Sequence, residues 1–308
     1  MRRLFAFLRA NPLSKGFRRL SPITRACILM VLATLLFAAM HTAIRYVAQR
    51  ISGMEVAFFR NLFGLIVIVP VLARYGPRLF YTEKLKLHVL RACINALSMI
   101  SFFVGLSMTP IARATALSFT APLFAALLSA LFLGEVFRWR RWSAIFLGFF
   151  GALVILRPGM QALDLGSLLI LFSSVLWSAA MIDIKVLGRT ESSRTIAAYV
   201  TVLLTPLTLI PALFVWQIPS VDMWVWLVFI GVVGTIGQFA VTEALKQGDM
   251  TALMPFDFLK LVWATFLGII FFAEVPDFLT WVGAAIVFGS SFYIAWREAT
   301  LRRLKANP

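Results

Sequence analysis

Asp257 and Lys260 stand three positions apart inside an apolar run near the C-terminus. Residues at this spacing share one face of a helix and can form an ion pair. The pair would be either a structural lock that neutralises two buried charges, or a substrate or proton site whose pairing changes between states. Pro255 precedes the two residues, and we expect it to break the helix there.

Two more polar residues lie within apolar runs. Arg60 lies about 7–8 Å inside its run at a rise of about 1.5 Å per residue, where it can pair with a carboxylate or with an anionic group of a substrate. Gln238 follows Gly231, Gly234 and Gly237, a spacing that is typical of close helix packing. The same glycines leave space beside Gln238, which predicts that its amide faces a cavity.

Four further residues complete the set of candidates. A lone histidine such as His41 is more often a hydrogen-bonded structural residue than a ligand, and both interpretations stay open. Asn95 lies deep enough in its run to need a hydrogen-bond partner. Trp177 and Trp263 lie mid-run, where an indole can stack on a planar substrate or pack against lipid and other helices. The predicted binding and translocation residues are His41, Arg60, Asn95, Trp177, Gln238, Asp257, Lys260 and Trp263.

The composition decides what surrounds these residues. The 308-residue chain is 61% hydrophobic and only 14% charged, and its mean hydropathy is +0.91. An average soluble domain is about 45–50% apolar and about 25% charged. The apolar excess must face lipid, so the sequence predicts an integral membrane protein. It argues against a soluble enzyme, a disordered chain and a disulfide scaffold, since only 2 cysteines are present.

The apolar runs approach the length of about 20 residues that a helix needs to cross a bilayer. We therefore predict an all-α integral membrane protein with ten transmembrane helices. The connections between the runs are too short for a soluble domain. The predicted spans are residues 26–47, 56–73, 87–108, 112–133, 142–156, 165–186, 196–216, 223–245, 251–272 and 278–296.

The net charge of +16 indicates how the chain is oriented. With the N-terminus placed in the cytoplasm, 22 of the 29 basic residues fall on the cytoplasmic side and only 4 on the other side. This asymmetry predicts a multi-pass protein of the cytoplasmic (inner) membrane with both termini inside. A strongly positive net charge can indicate binding to nucleic acid, but here the membrane topology accounts for the charge. We therefore expect no nucleic acid as a partner. The basic segment 1–25 either lies on the inner leaflet or is disordered.

An internal repeat relates the two halves of the chain. At an offset of 139 residues, eight positions within 106–142 are identical, and Glu135 matches Glu274 where a span ends. Two copies of a five-span repeat must have opposite orientations, a plan that recurs among secondary transporters with a site between the halves. The predicted segments are the basic N-terminal segment 1–25, the first repeat 26–157, the second repeat 158–296 and a basic cytoplasmic tail 297–308.

The repeat also bears on the charged pair. The first copy has Ser118 and Ala121 at the positions that match Asp257 and Lys260. If both halves served only as a symmetric scaffold, a charged pair in one of them would bring no structural advantage. The difference therefore favours a functional site over a structural lock.

The chain resembles the EamA family of the drug/metabolite transporter superfamily over about residues 26–296. The resemblance rests on LGE at 133–135, on the looser match FAE at 272–274 and on EVAFFRNLFG at 55–64. It implies ten spans, cytoplasmic termini and the movement of small organic metabolites. Within the family the chain resembles branches that carry S-adenosylmethionine or riboflavin, while other branches carry amino acids or nucleotide-like metabolites.

We therefore predict a secondary transporter that moves a small organic metabolite, S-adenosylmethionine or riboflavin first, by alternating access. No phosphate-binding Gly-Lys-Ser/Thr loop is present, so an ion gradient or exchange would drive transport, with Asp257, Glu243 or His41 as candidate proton carriers. Amino-acid export is the alternative. A membrane-embedded enzyme is disfavoured because the zinc motif HExxH is absent, and we expect neither cofactor nor metal. The expected partners are the substrate, protons or a counter-substrate, and membrane lipids; the oligomeric state stays open.

Overall fold

The computed structural model describes residues 20–76, 80–133, 139–156, 164–187, 190–191, 193–247, 253, 256–257 and 259–306. Within these ranges every regular element is a helix. Six of the helical segments are long and apolar enough to cross a membrane, and three shorter apolar helices accompany them. The predicted all-α membrane architecture is therefore confirmed.

The helices follow one another with short connections. In chain order they are α1 (Pro22–Val47), α2 (Gly53–Tyr75), α3 (Leu85–Met108), α4 (Ile111–Ser118), α5 (Ala121–Leu133), α6 (Trp139–Leu156), α7 (Leu165–Leu187), α8 (Ser193–Leu213), α9 (Val221–Gln247), α10 (Leu259–Phe272) and α11 (Phe278–Ala306). These eleven helices correspond to the ten predicted spans, because α4 and α5 share span four.

The packing of the helices shows the two-fold relation between the repeats. Helix α1 packs against α9, and its repeat mate α7 packs against α3. The contact of α2 with α9 has its counterpart in the contact of α8 with α3, and α1 with α10 corresponds to α7 with α5. The pairs α2–α8 and α6–α11 are their own counterparts. Exchanging the five-span halves therefore maps the most extensive contacts onto one another, as a two-fold relation between the repeats requires.

The bundle has two opposite faces. The terminal face is the side on which α1 begins at Pro22 and α11 ends. The distal face is the opposite side, where α1 ends at Val47 and α10 ends at Phe272.

Span four differs from the single helix 112–133 that the sequence predicts. It is broken by a two-residue turn between α4 and α5, with Pro122 in the first turn of α5. Ser178 on α7 donates to the carbonyl of Ala121 at 2.6 Å, and Ser291 on α11 donates to the carbonyl of Phe119 at 2.8 Å. A broken helix inside a membrane is tolerated when neighbours satisfy its free carbonyls. Ser291 does so for Phe119, and Ser178 adds a bond to the first carbonyl of α5.

Span nine was expected from residue 251. Among the residues described before α10, residues 253, 256 and 257 are helical, and α10 itself begins at Leu259. The expected break at Pro255 lies outside the described residues. Helix α11 continues to Ala306, so that the segment predicted as a tail after residue 296 is helical at least to that point.

Close helix crossings depend on glycines. A Cβ atom at Gly105 on α3 would lie 2.7 Å from the carbonyl oxygen of Gly166 on α7. On the other side of the bundle, a Cβ at Gly283 on α11 would lie 2.7 Å from the carbonyl oxygen of Gly151 on α6. Both distances are too short for any side chain, so the backbones themselves are in contact at these crossings.

Candidate functional site

Four of the predicted residues meet between the repeats and form what we call the central cluster: His41, Arg60, Asp257 and Lys260. Lys260 on α10 lies beside Phe37 of α1, one turn before His41. Arg60 on α2 lies beside Gly234 together with Met40, the residue before His41. Helices α1 and α2 belong to the first repeat and α10 belongs to the second. A site built from both repeats is what an inverted-repeat transporter uses, because the two halves then move around it.

The predicted ion pair is present. The Nζ atom of Lys260 lies 2.5 Å from the Oδ1 atom of Asp257. The two side chains are 28% and 23% exposed, so the pair is not sealed within the helix packing. Lys260 Nζ also lies 5.7 Å from the ring centroid of Phe37 on α1, a favourable position for a cation beside an aromatic face. The pair therefore lies where two repeats meet, and it is open on one side.

Arg60 is the unbalanced charge of the cluster. Its Nη1 atom donates to the Oδ1 atom of Asn61 at 3.0 Å. Among the described residues, no carboxylate forms an ion pair with it. A cation inside a membrane is costly unless it is paired or faces a polar space, and such residues commonly mark a substrate path. Arg60 is therefore the strongest candidate in this structure for direct contact with a substrate.

Gln238 lies where the packed side of α9 opens. Gly231 and Gly234 are buried on this side, where a Cβ at Gly231 would lie 2.4 Å from the Cβ of Phe63 on α2. Gln238 stands one turn further along the same side, and its side chain is exposed. That the glycines leave a cavity beside Gln238 stays a prediction. That its amide lines the path of a substrate stays a prediction.

Asn95 and Trp177 form a second group between α3 and α7. Ser98 donates to the carbonyl of Ser173 at 2.9 Å, which fixes the register of these antiparallel helices. One turn further toward the terminal face, this register places Asn95 at the level of Trp177. Asn95 is 6% exposed and its Oδ1 atom has no hydrogen-bond partner among the described residues, whereas Trp177 is 46% exposed. No described contact joins this pair to the central cluster, so its part in binding stays a prediction.

Trp263 lies one turn after Lys260 on α10 and is half-buried. Its indole Nε1 atom is buried, with no hydrogen-bond partner in the part of the chain that the structure describes. A buried indole N–H usually finds an acceptor. The position is therefore compatible with the stacking or hydrogen-bonding role that the sequence suggests, and that role remains untested.

Sequence reasoning missed a second polar site, which lies at the distal face. Arg45 at the end of α1 forms an ion pair with Glu274, which follows α10. Their side chains are 12% and 19% exposed. The repeat marks Glu274 as the position equivalent to Glu135. An arginine so close to the end of its span as Arg45 is explained equally well by a side chain that extends to the membrane surface. Glu135 lies outside the described residues.

A second ion pair lies beside the first. Arg113 on α4 lies 3.4 Å from Asp164, which caps the start of α7. Burial alone would raise the pKa of Asp164, but it is lowered by the backbone and hydroxyl of Ser167, by the hydroxyl of Thr109 and by the charge of Arg113. The carboxylate is therefore held in its charged form at the boundary between the repeats.

An all-helical membrane bundle, with two inverted repeats that meet at a polar cluster, has the architecture of a membrane transporter. The chain belongs to the EamA-like transporter family, whose sequence pattern matches residues 24–157 and 164–296. This membership confirms the family that the sequence resembled.

Relatives with assigned names support the same class. A riboflavin transporter of Brucella anthropi is 33% identical over 282 residues, which are 89% of this chain and 99% of the relative. An S-adenosylmethionine uptake transporter of Rickettsia bellii is 31% identical over 256 residues, which are 82% of this chain and 87% of the relative. The pseudopaline exporter of Pseudomonas aeruginosa is 27% identical and aligns with 84% of this chain and 92% of its own. These names confirm a transporter rather than an enzyme.

A solved crystal structure shares the fold. It superposes with a TM-score of 0.60 on 91% of this chain and 99% of its own chain, at 19% sequence identity. At this identity the likeness concerns the fold alone.

Proposed function

We propose that this protein is a secondary transporter that moves riboflavin across the cytoplasmic membrane by alternating access through the central cluster. The observation that carries the choice of substrate is Arg60, a guanidinium group at the repeat interface without a carboxylate partner among the described residues. Since Asp257 and Lys260 neutralise each other, the cluster has an excess of positive charge.

The chemistry of riboflavin suits this charge. The flavin ring is planar and uncharged at neutral pH, and its carbonyl oxygens accept hydrogen bonds from a guanidinium group. Its apolar faces can stack on an aromatic ring, for which Trp263 and Phe37 are the nearest candidates beside Lys260. The ribityl hydroxyls can bond to amides such as that of Gln238.

S-Adenosylmethionine is the second candidate. It carries a sulfonium and an ammonium group against one carboxylate, so its net charge is positive, and Arg60 and Lys260 would repel it. One observation favours it: Asp257 is partly exposed and would be free to bind an ammonium group once Lys260 moves away. Amino acids, which other members of the family carry, remain competitors in the same test.

The orientation and the energy source belong to the same proposal. The excess of basic residues on the terminal face supports a cytoplasmic position for both termini. Exchange or a proton gradient drives net transport, since the sequence has no phosphate-binding loop of the ATPase type. The substrate, the coupling ion or counter-substrate and the surrounding lipids are the partners.

Transport by the purified protein in liposomes tests the proposal. We expect labelled riboflavin to accumulate, and Arg60→Gln to reduce its affinity at least about tenfold, because a hydrogen bond to a charged group contributes about 1.5–3 kcal/mol. Arg50→Gln is the matched control, since Arg50 is 51% exposed at the distal face, outside the central cluster. Uptake of S-adenosylmethionine but not riboflavin would establish the second candidate. Uptake of neither, by protein that remains folded, would contradict both.

A further inference from the structure

We propose that Arg45 and Glu274 form the gate that closes the distal side of the translocation path. The inference rests on the proposed transport function, but it concerns residues that lie outside the central cluster. The two residues are 229 positions apart in sequence and belong to different repeats. Their ion pair must break whenever the repeats separate at the distal face.

Arg45 joins the ends of three helices of the bundle. Besides its bond to Glu274, its guanidinium group donates to the carbonyls of Leu106, at 2.9 Å, and Thr109. These carbonyls lie at the end of α3, where the last turn of a helix leaves carbonyl groups without partners. The guanidinium carbon also lies 5.3 Å from the ring centroid of Phe272, the last residue of α10. One side chain on α1 thus holds α3 and α10 together.

Glu274 completes the closure from the second repeat. Its Oε1 atom pairs with Arg45, and its Oε2 atom accepts the backbone N–H of Ile111 at 3.0 Å. Ile111 is the first residue of α4, so the carboxylate also lies at the positive end of a helix of the first repeat. Both carboxylate oxygens of one residue therefore bind the opposite repeat.

The backbone before Glu274 holds the carboxylate in this position. Ala273 has φ of +54°, a left-handed conformation that glycine usually provides at the end of a helix. The N–H of Ala273 bonds to the carbonyl of Ile269, and the N–H of Glu274 bonds to the carbonyl of Gly268, both at 3.1 Å. An alanine in such a conformation persists only where its surroundings fix it, and such positions concentrate at functional sites.

The second distal pair reinforces the same boundary. Arg113 belongs to the first repeat and Asp164 to the second, and Thr109 donates to Asp164 at 3.3 Å. Thr109 therefore bonds to both ion pairs, through its carbonyl to Arg45 and through its hydroxyl to Asp164. Separation of the repeats at this face would break the two pairs together.

A cavity lies on the outer side of the gate. Its volume is about 310 Å³, and its lining includes Arg113, Glu274, Asp277 and Thr280. Glu274 lines this cavity, so the ions can be solvated when the pair opens. This makes the pair a contact that can break and re-form, whereas a fully buried pair would be costly to separate.

Accessibility of a cysteine tests the gate without any need for transport. Cys27 and Cys93, which are free thiols, are first replaced by serine, and Gln238→Cys is then introduced as the reporter. A membrane-impermeant thiol reagent is applied from each side of the membrane separately. We expect labelling from the distal side to be slow in this background, and to become about tenfold faster or more when Arg45→Gln or Glu274→Gln is added. A factor of ten corresponds to about 1.4 kcal/mol in the opening equilibrium.

Arg50→Gln is the matched control. Arg50 pairs with Asp222 at 2.9 Å across the same two repeats, but both side chains are more than half exposed, at 51% and 57%. Its loss should leave labelling unchanged, and the conservative change Arg45→Lys, which keeps the positive charge opposite Glu274, should keep labelling slower than in Arg45→Gln. Equal labelling in all variants, or an equal increase in Arg50→Gln, would overturn the gate and leave a purely structural pair.

A cross-link covers the case in which the glutamine variants do not fold. Arg45→Cys and Glu274→Cys are combined in the same cysteine-free background and bridged by a short, cleavable bifunctional thiol reagent. We expect the bridged protein to bind substrate from the terminal side but to lose transport at least tenfold, and cleavage of the bridge to restore it. Undiminished transport by the bridged protein would overturn the proposal. Absent transport before bridging, with labelling of Gln238→Cys that still becomes faster in Arg45→Gln, would count against the proposed function alone.

Discussion

Gly234 on α9 faces the side chain of Met40 on α1 and lies beside the guanidinium group of Arg60 on α2. A Cβ atom at position 234 would lie 2.5 Å from the Sδ atom of Met40 and 3.6 Å from the Nε atom of Arg60. The first distance is shorter than a van der Waals contact, and the second is an ordinary one. The glycine therefore allows α1 and α9 to approach closely beside the unbalanced cation.

We predict that Gly234→Ala lowers substrate affinity and stability together. The added methyl group must displace the side chain of Met40, which precedes His41 of the central cluster, and overpacking of this kind costs about 1–3 kcal/mol. Binding of riboflavin and thermal unfolding in detergent measure the two effects. Gly289→Ala on α11 is the matched control, because nothing lies within 4 Å of a Cβ there. Met40→Ala should partly rescue Gly234→Ala, and an equal loss in both glycine variants would contradict the packing argument.

We predict that Ala273→Gly stabilises the protein. The left-handed conformation at φ of +54° costs an alanine about 1–2 kcal/mol relative to glycine. Replacing it should raise the unfolding temperature by a few degrees. The comparison is Ala197→Gly, at an exposed position within helix α8, which should destabilise by about 1 kcal/mol. Opposite signs for the two changes are the expected result, and a loss of stability at position 273 would count against the assigned backbone strain.

The stabilisation from Asp164 should depend on pH. Because the pKa of Asp164 is lowered in the folded protein, its contribution is fully present above the ordinary carboxyl range and is lost as the pH falls through the folded value. Asp164→Asn should therefore lower the unfolding temperature near neutral pH, and the difference from the unmodified protein should shrink in acid. Thermal unfolding in detergent between pH 7 and acid measures this. A difference that is constant across that range would show that the charge plays no part.

The break between α4 and α5 should depend on Ser178. Its hydroxyl bonds to the carbonyl of Ala121 at 2.6 Å and to that of Ser174 at 2.7 Å. Ser178→Ala removes this hydrogen bond between the repeats, which should cost about 0.5–1.5 kcal/mol. Thr201→Val is the control, since Thr201 bonds only within α8 in an exposed position. Equal unfolding temperatures for the two variants would mean that the break is held by other contacts.

The sequence alone determined the features that depend on local geometry. Hydropathy sets the number of spans, because each must cover the same thickness of lipid whatever its neighbours are. The spacing of Asp257 and Lys260 predicted their ion pair, because three residues along a helix bring two side chains to one face. The repeat likewise indicated the two inverted halves.

Only the tertiary structure decided the features that depend on which helices meet. Arg45 had no visible partner in the sequence, because Glu274 is 229 positions away and the pairing follows from the packing of α1 against α10. The break in span four was hidden as well, since Pro122 fits the first turn of a helix as readily as it kinks a continuous one. Hydropathy fixes how deep a side chain lies in the membrane, but the packing of the helices fixes what it faces there. For that reason the sequence predicted the residues of the central cluster one by one, whereas the ion pair of Arg45 and Glu274 became visible only in the tertiary structure.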